Sequence, residues 1–246
     1  MNATDPVVFL LDVDNTLLDN DRFAAELTAR LEHDFGKAGR ERYWSIYAGL
    51  REQHGYADYL GALQDFRATS ADEPALLQIS AFLLDYPFRE RLYPRALAAI
   101  EHLRTLGTAV ILSDGDIVFQ PRKIQRSGLW DAVAGRVLVY VHKERMLEAI
   151  QQRFPAAHYV MVDDKPQLLA AAKRVLGDRL TTLFVRQGHY ADALQRAVID
   201  PAPDVIIERI GDLCELALRD LHGLRKRTVA AAAPAATTQG SSAEPT

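Results

Sequence analysis

The run Val7-Val8-Phe9-Leu10-Leu11 is apolar at every position. A continuous run of this length, followed directly by polar residues, reads as a strand covered on both faces in the middle of a parallel sheet. Beyond it the period lengthens to that of a helix. Phe23, Leu27 and Leu31 share one helix face, Tyr43, Ile46, Tyr47 and Leu50 share another, and further helical segments are expected around 56–66 and 74–84. From Tyr93-Pro94 onward the pattern alternates. A helix over about 94–106, closed by Gly107, leads to a strand at 108–112. A short helix at about 121–128 precedes a strand at 137–141, and a helix at about 144–154 precedes a strand at 158–162. A helix from Pro166, a strand at 181–185 and a final helical region after Gly211 complete the pattern.

Strands alternating with helices imply parallel crossover units. The expected fold is therefore α/β: a three-layer, Rossmann-like parallel-sheet core with an inserted all-helical cap domain. Residues 1–18 and 88–225 are assigned to the core and 19–87 to the cap. Residues 226–246, rich in Ala, Ser, Thr and Pro, are expected to form a disordered tail. An insertion rooted just past the first strand would sit over the carboxyl ends of the strands, where a lid belongs.

Composition narrows the function classes. The 246 residues are 48% hydrophobic and 25% charged, enough for one large core or for a core with a small accessory domain. A net charge of -4 lacks the basic bias of a nucleic-acid-binding surface. A single cysteine, Cys214, excludes an internal disulfide and a multi-cysteine zinc site, and it reads as a small buried hydrophobe. No apolar stretch reaches the ~20 residues that cross a bilayer, and the N-terminus lacks a secretory pattern, so a cytoplasmic protein without membrane partners is expected. The sequence carries no signal for an oligomeric state.

Four strand ends carry the candidate chemistry. Asp12 and Asp14 follow the first strand, and burying carboxylates there requires compensation, although a plain turn explains Asp14-Asn15-Thr16 equally well. Ser113 follows the second strand, with Asp114 and Asp116 in the same stretch. Pro121 suits the first helical position better, which leaves Ser113 with no helix to cap. Lys143 follows the third strand at the start of a helix, where the dipole disfavours a cation; a solvated surface lysine is the alternative. Asp163-Asp164 follows the fourth, and two adjacent acids exceed the needs of a helix cap. Four carboxylates from two strand ends repel one another unless a hard cation such as Mg²⁺ joins them.

In this ordered set the sequence resembles the haloacid dehalogenase (HAD) superfamily, in its phosphatase branch with a helical cap after the first motif. Asp12-Val13-Asp14-Asn15-Thr16 resembles that family's first motif, Ser113 its second, Lys143 its third and Asp163-Asp164 its fourth. The second motif departs from the family's usual Asn or Gly in having Asp114 next, and Asp116 adds another acid. The resemblance implies Asp12 as nucleophile, Asp14 as acid and base, and Lys143 as a catalytic cation. It also implies Ser113, Asp114 and Lys143 at the substrate phosphate, and Mg²⁺ held by Asp12, Asp14 (through its backbone carbonyl), Asp163 and Asp164. A carboxylate approaching a phosphate dianion meets a repulsion of roughly 9 kcal/mol at ~3.5 Å and an effective dielectric of ~20, which cations must remove. The implied reaction is hydrolysis of a small phosphorylated metabolite through an aspartyl-phosphate. The alternatives are a phosphomutase, a dehalogenase-like member, in which the second Asp is replaced and no metal is needed, and a non-catalytic protein retaining the fold. Of the aromatic and basic residues Tyr43, Trp44, Tyr47, Arg51, His54 and Tyr56, most are expected to pack the cap's own core, with Arg51 or His54 as candidate substrate contacts. The stretch Arg186-Gln187-Gly188-His189-Tyr190 reads as either site rim or ordinary loop.

Overall fold

Strand β1 (Val7–Leu11) is buried along its whole length, as its unbroken apolar run requires. In a computed structural model that describes residues 7–68 and 72–217, it lies inside a six-stranded parallel sheet of order β3-β2-β1-β4-β5-β6. The other strands are β2 (Thr108–Asp114), β3 (Val137–Tyr140), β4 (His158–Asp163), β5 (Leu180–Val185) and β6 (Val205–Ile207). Between β1 and β2 come helices α1 (Asn20–His54), α2 (Tyr59–Arg67), α3 (Glu73–Asp85) and α4 (Ala96–Leu106). The remaining crossovers hold α5 (Phe119–Ser127), α6 (Leu129–Ala132), α7 (Leu147–Arg153), α8 (Pro166–Leu176) and α9 (Ala193–Arg196). The described residues up to Glu215 form one compact unit, and the proposed tail 226–246 lies outside the described residues.

Alternation along the inner strands sends side chains to both faces of the sheet. Val8 and Leu10, Val110 and Leu112, and Tyr159 and Met161 pack one face against Leu147, Ile150, Leu169, Ala172 and Leu176 of α7 and α8. The intervening Phe9, Leu11, Ile111, Val160 and Val162 are equally buried. The Rossmann-like core expected from the alternating pattern is therefore present.

Register sets the position of the site. Leu11 pairs with both Ile111 and Val162, and Asp12 donates its backbone N–H to Val162 O at 3.0 Å. The carboxyl ends of β1 and β4 are thus level, at the point where the strand order changes direction and a crevice opens.

The helical insertion is tied to the core by its two crossing strands. Leu18 and Leu92 form an antiparallel bridge, flanked by hydrogen bonds from Asp19 N to Arg91 O at 2.8 Å and from Tyr93 N to Leu17 O at 3.0 Å. Phe23, Tyr59, Phe88 and Phe119 then pack ring against ring, joining α1, α2, the return segment and α5.

Several elements differ from expectation. The two amphipathic stretches before residue 54 belong to one long α1, broken at Gly36, whose φ of 70° and ψ of 178° are open only to glycine. Strand β2 runs two residues further than its apolar stretch, to Asp114, because Ser113 and Asp114 pair with Val139 and Tyr140. Helix α5 starts at Phe119 rather than Pro121, and Lys143 lies in a 3-10 turn (Lys143–Arg145) ahead of α7. The helix-dipole argument for Lys143 therefore falls away, and its burial needs another cause. The short edge strand β6 has no counterpart in the predicted pattern. The segment after Gly211 is a 3-10 turn, Ile210–Glu215, as far as the structure describes it.

A Cβ at Gly36 would meet no atom within 4 Å, so substitution there strains only the backbone. Gly36→Ala is expected to lower stability by about 1–3 kcal/mol in urea unfolding, without altering the sheet.

Candidate active site

The loop after β1 turns on Val13 O, which accepts the backbone N–H groups of Thr16, Leu17 and Leu18 at 3.2, 2.9 and 2.9 Å. Asn15 takes the left-handed conformation (φ 59°), which Asn tolerates, and its Oδ1 accepts N–H groups from Asn20 and Asp21 at 3.0 and 3.1 Å in the first turn of α1. The turn chemistry thus falls to Asn15 and leaves both carboxylates free for other work. Asp12 is buried, with Oδ2 accepting Thr16 Oγ1–H at 3.1 Å.

Asp163 and Asp164 arrive at the end of β4 and complete an acidic trio with Asp12. One ligand atom from each lies within 4.8 Å of the others, and all three residues are buried. Lys143, fully buried, forms ion pairs with Asp12 Oδ1 and with Asp163 Oδ2, the latter at 2.7 Å, and its Nζ donates to Leu112 O at 3.3 Å. Burial opposes its charge, but Asp12, Asp163 and Asp114 outweigh that and hold its pKa above the usual lysine range. Asp163 Oδ1 accepts the Lys165 backbone N–H at 2.9 Å. Neither carboxyl oxygen of Asp164 has a hydrogen-bond partner. Burial, reinforced by Asp163 and Asp12, pushes the Asp164 carboxyl well above the ordinary carboxylate range. A buried carboxylate with both oxygens unbonded is costly, and a hard cation among the three acids would remove that cost.

Asp14 stands outside the trio. Its carboxylate pairs with Lys123 Nζ, at 2.8 Å to Oδ1 and 3.0 Å to Oδ2, and Oδ2 also accepts Gln120 Nε2–H at 3.2 Å. The Asp14 side chain is turned toward α5, which agrees with an expected metal role for its backbone carbonyl rather than its carboxylate. Gln120 also donates to Ser113 Oγ at 2.9 Å, so the second strand end and the second carboxylate share a donor.

Asp114 and Asp116, the departures in the second motif, both have visible uses. Asp114 Oδ1 accepts the Lys143 backbone N–H at 2.8 Å, which holds the lysine turn in place. Burial raises its pKa, and Lys143 partly offsets this. Asp116 Oδ1 accepts N–H groups from Val118 and Phe119 at 2.8 and 2.6 Å, securing the start of α5.

A small cleft of about 80 Å³ opens beside these groups. Its lining includes Asp14, Asn20, Tyr47, Arg51, Asp164 and His189. Of Tyr43, Trp44, Tyr47, Arg51, His54 and Tyr56, Tyr47 and Arg51 line it, together with Tyr59 of α2. Tyr43 is buried, donating its hydroxyl to Tyr59 O at 2.9 Å, and Trp44 donates to Thr28 Oγ1 at 3.1 Å. Of the stretch 186–190, His189 and Tyr190 line the cleft, where His189 Nδ1 lies 2.7 Å from Asp21 Oδ1 and 3.1 Å from Asn15 Nδ2.

Lys123, Gln120, Asn20 and Lys165 were not singled out by sequence reasoning. For the first two a signal existed: the inward stripe of α5 is Phe119, Gln120, Lys123, Ile124 and Ser127, and a lysine on a buried stripe needs a partner.

Buried acids and a buried ammonium converging on the switch point of a parallel α/β sheet define an enzymatic centre of the Rossmann-like type. The family model for haloacid dehalogenase-like hydrolases matches residues 7–175, and the chain belongs to that family of hydrolases. A crystal structure from Burkholderia xenovorans LB400, described as a haloacid dehalogenase-like hydrolase, is 56% identical with a TM-score of 0.80, covering 87% of this chain and 100% of its own. L-2-haloacid dehalogenase from Xanthobacter autotrophicus shares the fold at 20% identity and a TM-score of 0.54, covering 88% of this chain and 99% of its own. So does the HAD-hydrolase YfnB from Bacillus subtilis, solved with magnesium, at 16% identity and a TM-score of 0.57, covering 86% and 98%. No curated protein matches the chain significantly. Among the described residues, no helix is long and apolar enough to cross a membrane.

The raised Asp164 pKa has a definite consequence for the metal-free protein. The folded state holds a proton that the unfolded state releases in the ordinary carboxylate range, so stability is lost as pH rises from that range toward the folded value; Asp163 and Asp114 act in the same direction. Urea unfolding in EDTA is expected to give lower stability at pH 8 than at pH 5. Asp164→Asn should flatten that dependence and raise stability at pH 8 by on the order of 1–3 kcal/mol.

Proposed function

We propose that the protein is a Mg²⁺-dependent phosphatase that hydrolyses the phosphate monoester of a small metabolite through an aspartyl-phosphate on Asp12. The observation that carries this reading is the separation of the two carboxylates of the first motif. Asp12 belongs to the acidic trio, while Asp14 stands apart, lines the cleft and is held by its own donors. A departing alkoxide needs a proton, and a departing halide does not.

The trio suits Mg²⁺ in its donor chemistry: three carboxylates, one of them with both oxygens free of hydrogen bonds. Asp12, Asp163 and Asp164 would hold the ion, with the Asp14 backbone carbonyl as a further oxygen donor. When bound, the ion supplies positive charge against the phosphoryl oxygens. The Thr16 hydroxyl and the Lys143 ammonium fix the plane of the Asp12 carboxylate, one on each oxygen. An Asp12 oxygen bonds to phosphorus as the ester P–O bond breaks, and Asp14 gives a proton to the departing oxygen. Water then attacks phosphorus, Asp14 takes its proton, and Asp12 is regenerated with release of inorganic phosphate. Lys143 offsets the charge gathered around the phosphoryl group. Ser113 accepts from Gln120 and holds its own proton only in a 3.4 Å contact with Asp114 O, so that proton is available to a phosphoryl oxygen. The narrow cleft supports a small substrate. The fold supports placing the helical insertion, 19–87, as a lid, since Tyr47 and Arg51 reach the cleft from it. No observation supports a proton-managing residue of the kind a phosphomutase needs, and a cytoplasmic setting rests on the sequence alone.

One observation favours a dehalogenase-like reading. Lys143 already pairs with Asp12 and Asp163, which would leave Asp12 usable against carbon without a metal.

Hydrolysis of 4-nitrophenyl phosphate separates the two. The expected result is Mg²⁺-dependent release of nitrophenolate, abolished by EDTA and lowered at least ~10³-fold by Asp12→Asn. Metal-independent chloride release from 2-chloropropionate, with no phosphatase activity, would instead establish the second reading.

A further inference from the structure

Lys123 is a charged group sealed inside the fold beside the acidic trio. It is fully buried on the inward stripe of α5. A buried ammonium is costly unless its protons are used, and all three find oxygens: Asp14 Oδ1 at 2.8 Å, Asp14 Oδ2 at 3.0 Å and Asn20 Oδ1 at 3.0 Å. Phe23, Tyr59, Phe88 and Phe119 surround it, with ring centroids 5.8, 5.9, 5.8 and 5.5 Å from Nζ. These rings exclude water and favour a cation electrostatically. They and Asn20 come from α1, α2, the return segment of the insertion and α5, so a single ammonium gathers the insertion, the core helix and the second carboxylate.

The effect on Asp14 follows from its acceptor count. An ionised carboxylate offers about four lone-pair positions, and Lys123 and Gln120 fill three with donors, two of them on Oδ2. The remaining position, on Oδ1, belongs to a side chain that lines the cleft and keeps 26% of its surface exposed. The three donors thus fix the orientation of the carboxylate and leave one Oδ1 position open toward the cleft.

We propose that Lys123 is a positioning residue, holding Asp14 in a proton-accepting arrangement for the half-reaction in which water attacks the aspartyl-phosphate, and linking that arrangement to the insertion through Asn20. The inference rests on the phosphatase reading above. In the step concerned, the water oxygen bonds to phosphorus, the bond from phosphorus to the Asp12 oxygen breaks, and the water proton passes to Asp14. Formation of the intermediate from an ester with a good leaving group makes little demand on Asp14, so loss of Lys123 falls on the second half.

Rapid mixing of the full chain with 4-nitrophenyl phosphate and Mg²⁺ tests this. Lys123→Met is expected to release about one nitrophenolate per chain in a burst and then turn over at least ~10-fold more slowly than wild type, with phosphate trapped on the protein. In an Asp14→Asn background, Lys123→Met should slow turnover by less than about twofold, because the two residues act as one unit. That double variant carries neither charge, so it remains informative if Lys123→Met alone fails to fold. Equal loss of burst and steady rates, or a full additional loss in the Asp14→Asn background, overturns the inference while leaving the phosphatase reading intact. Absence of trapped phosphate in the wild type and every variant overturns that reading, and the inference with it.

Discussion

Three buried carboxylates whose ligand atoms lie within 4.8 Å of one another are the constraint around which the centre is organised. Such a cluster cannot persist in an apolar interior without positive charge close by. The parallel sheet accounts for the cluster, because equal register at the ends of β1 and β4 brings Asp12 and Asp163 side by side wherever the strands pair as they do. Lys143 accounts for its survival, and Asp114 for the position of Lys143. Each polar residue at the strand ends therefore depends on the one beside it, and the depth of the Lys143 ammonium follows from the acids around it rather than from any helix.

The insertion answers to a different interaction. Its entry and exit are fastened by the Leu18–Leu92 bridge, while its interior meets the core through rings packed about Lys123. The first contact fixes where the insertion begins. The second makes its packing sensitive to a charge. Motion of α1 or α2 relative to α5 would disturb Asn20 and Tyr59, and through them the hold on Asp14.

How much of this was legible in the chain varied with the range of the interaction. Strands β1, β2, β4 and β5 were readable because each is apolar over several residues, and their polar ends located Asp12, Ser113 and Asp163 with them. Strand β6 was not, since three half-exposed edge residues carry too little apolar signal. The extension of β2 through Ser113 and Asp114 depends on pairing with β3, which local pattern cannot register. Asp116 looked like surplus charge because its use is a local bond to the start of α5, and that start was placed two residues late. Lys123 was missed for the opposite reason: its partner Asp14 lies 109 residues away, and only its place on a buried stripe hinted at a need.

Fold likeness does not decide between phosphate and halide chemistry, because a family fold hosts several reactions and the site must separate them. The charge balance of the centre is more discriminating. Asp12, Asp14, Asp114, Asp163 and Asp164 face three ammonium groups, Lys123, Lys143 and Lys165, the last of which is held protonated against burial chiefly by Asp12 and Asp163. Asp164, inside the trio, keeps both of its oxygens without a hydrogen-bond partner. Lys143 cannot meet that need, since its contacts are already spent on Asp12, Asp163 and Leu112 O, and Lys123 is sealed among rings on the far side of Asp14. A metal-free reaction would leave those two oxygens unmet. A hard cation among the three acids would meet them, and that unmet need is what the proposed phosphoryl transfer rests on.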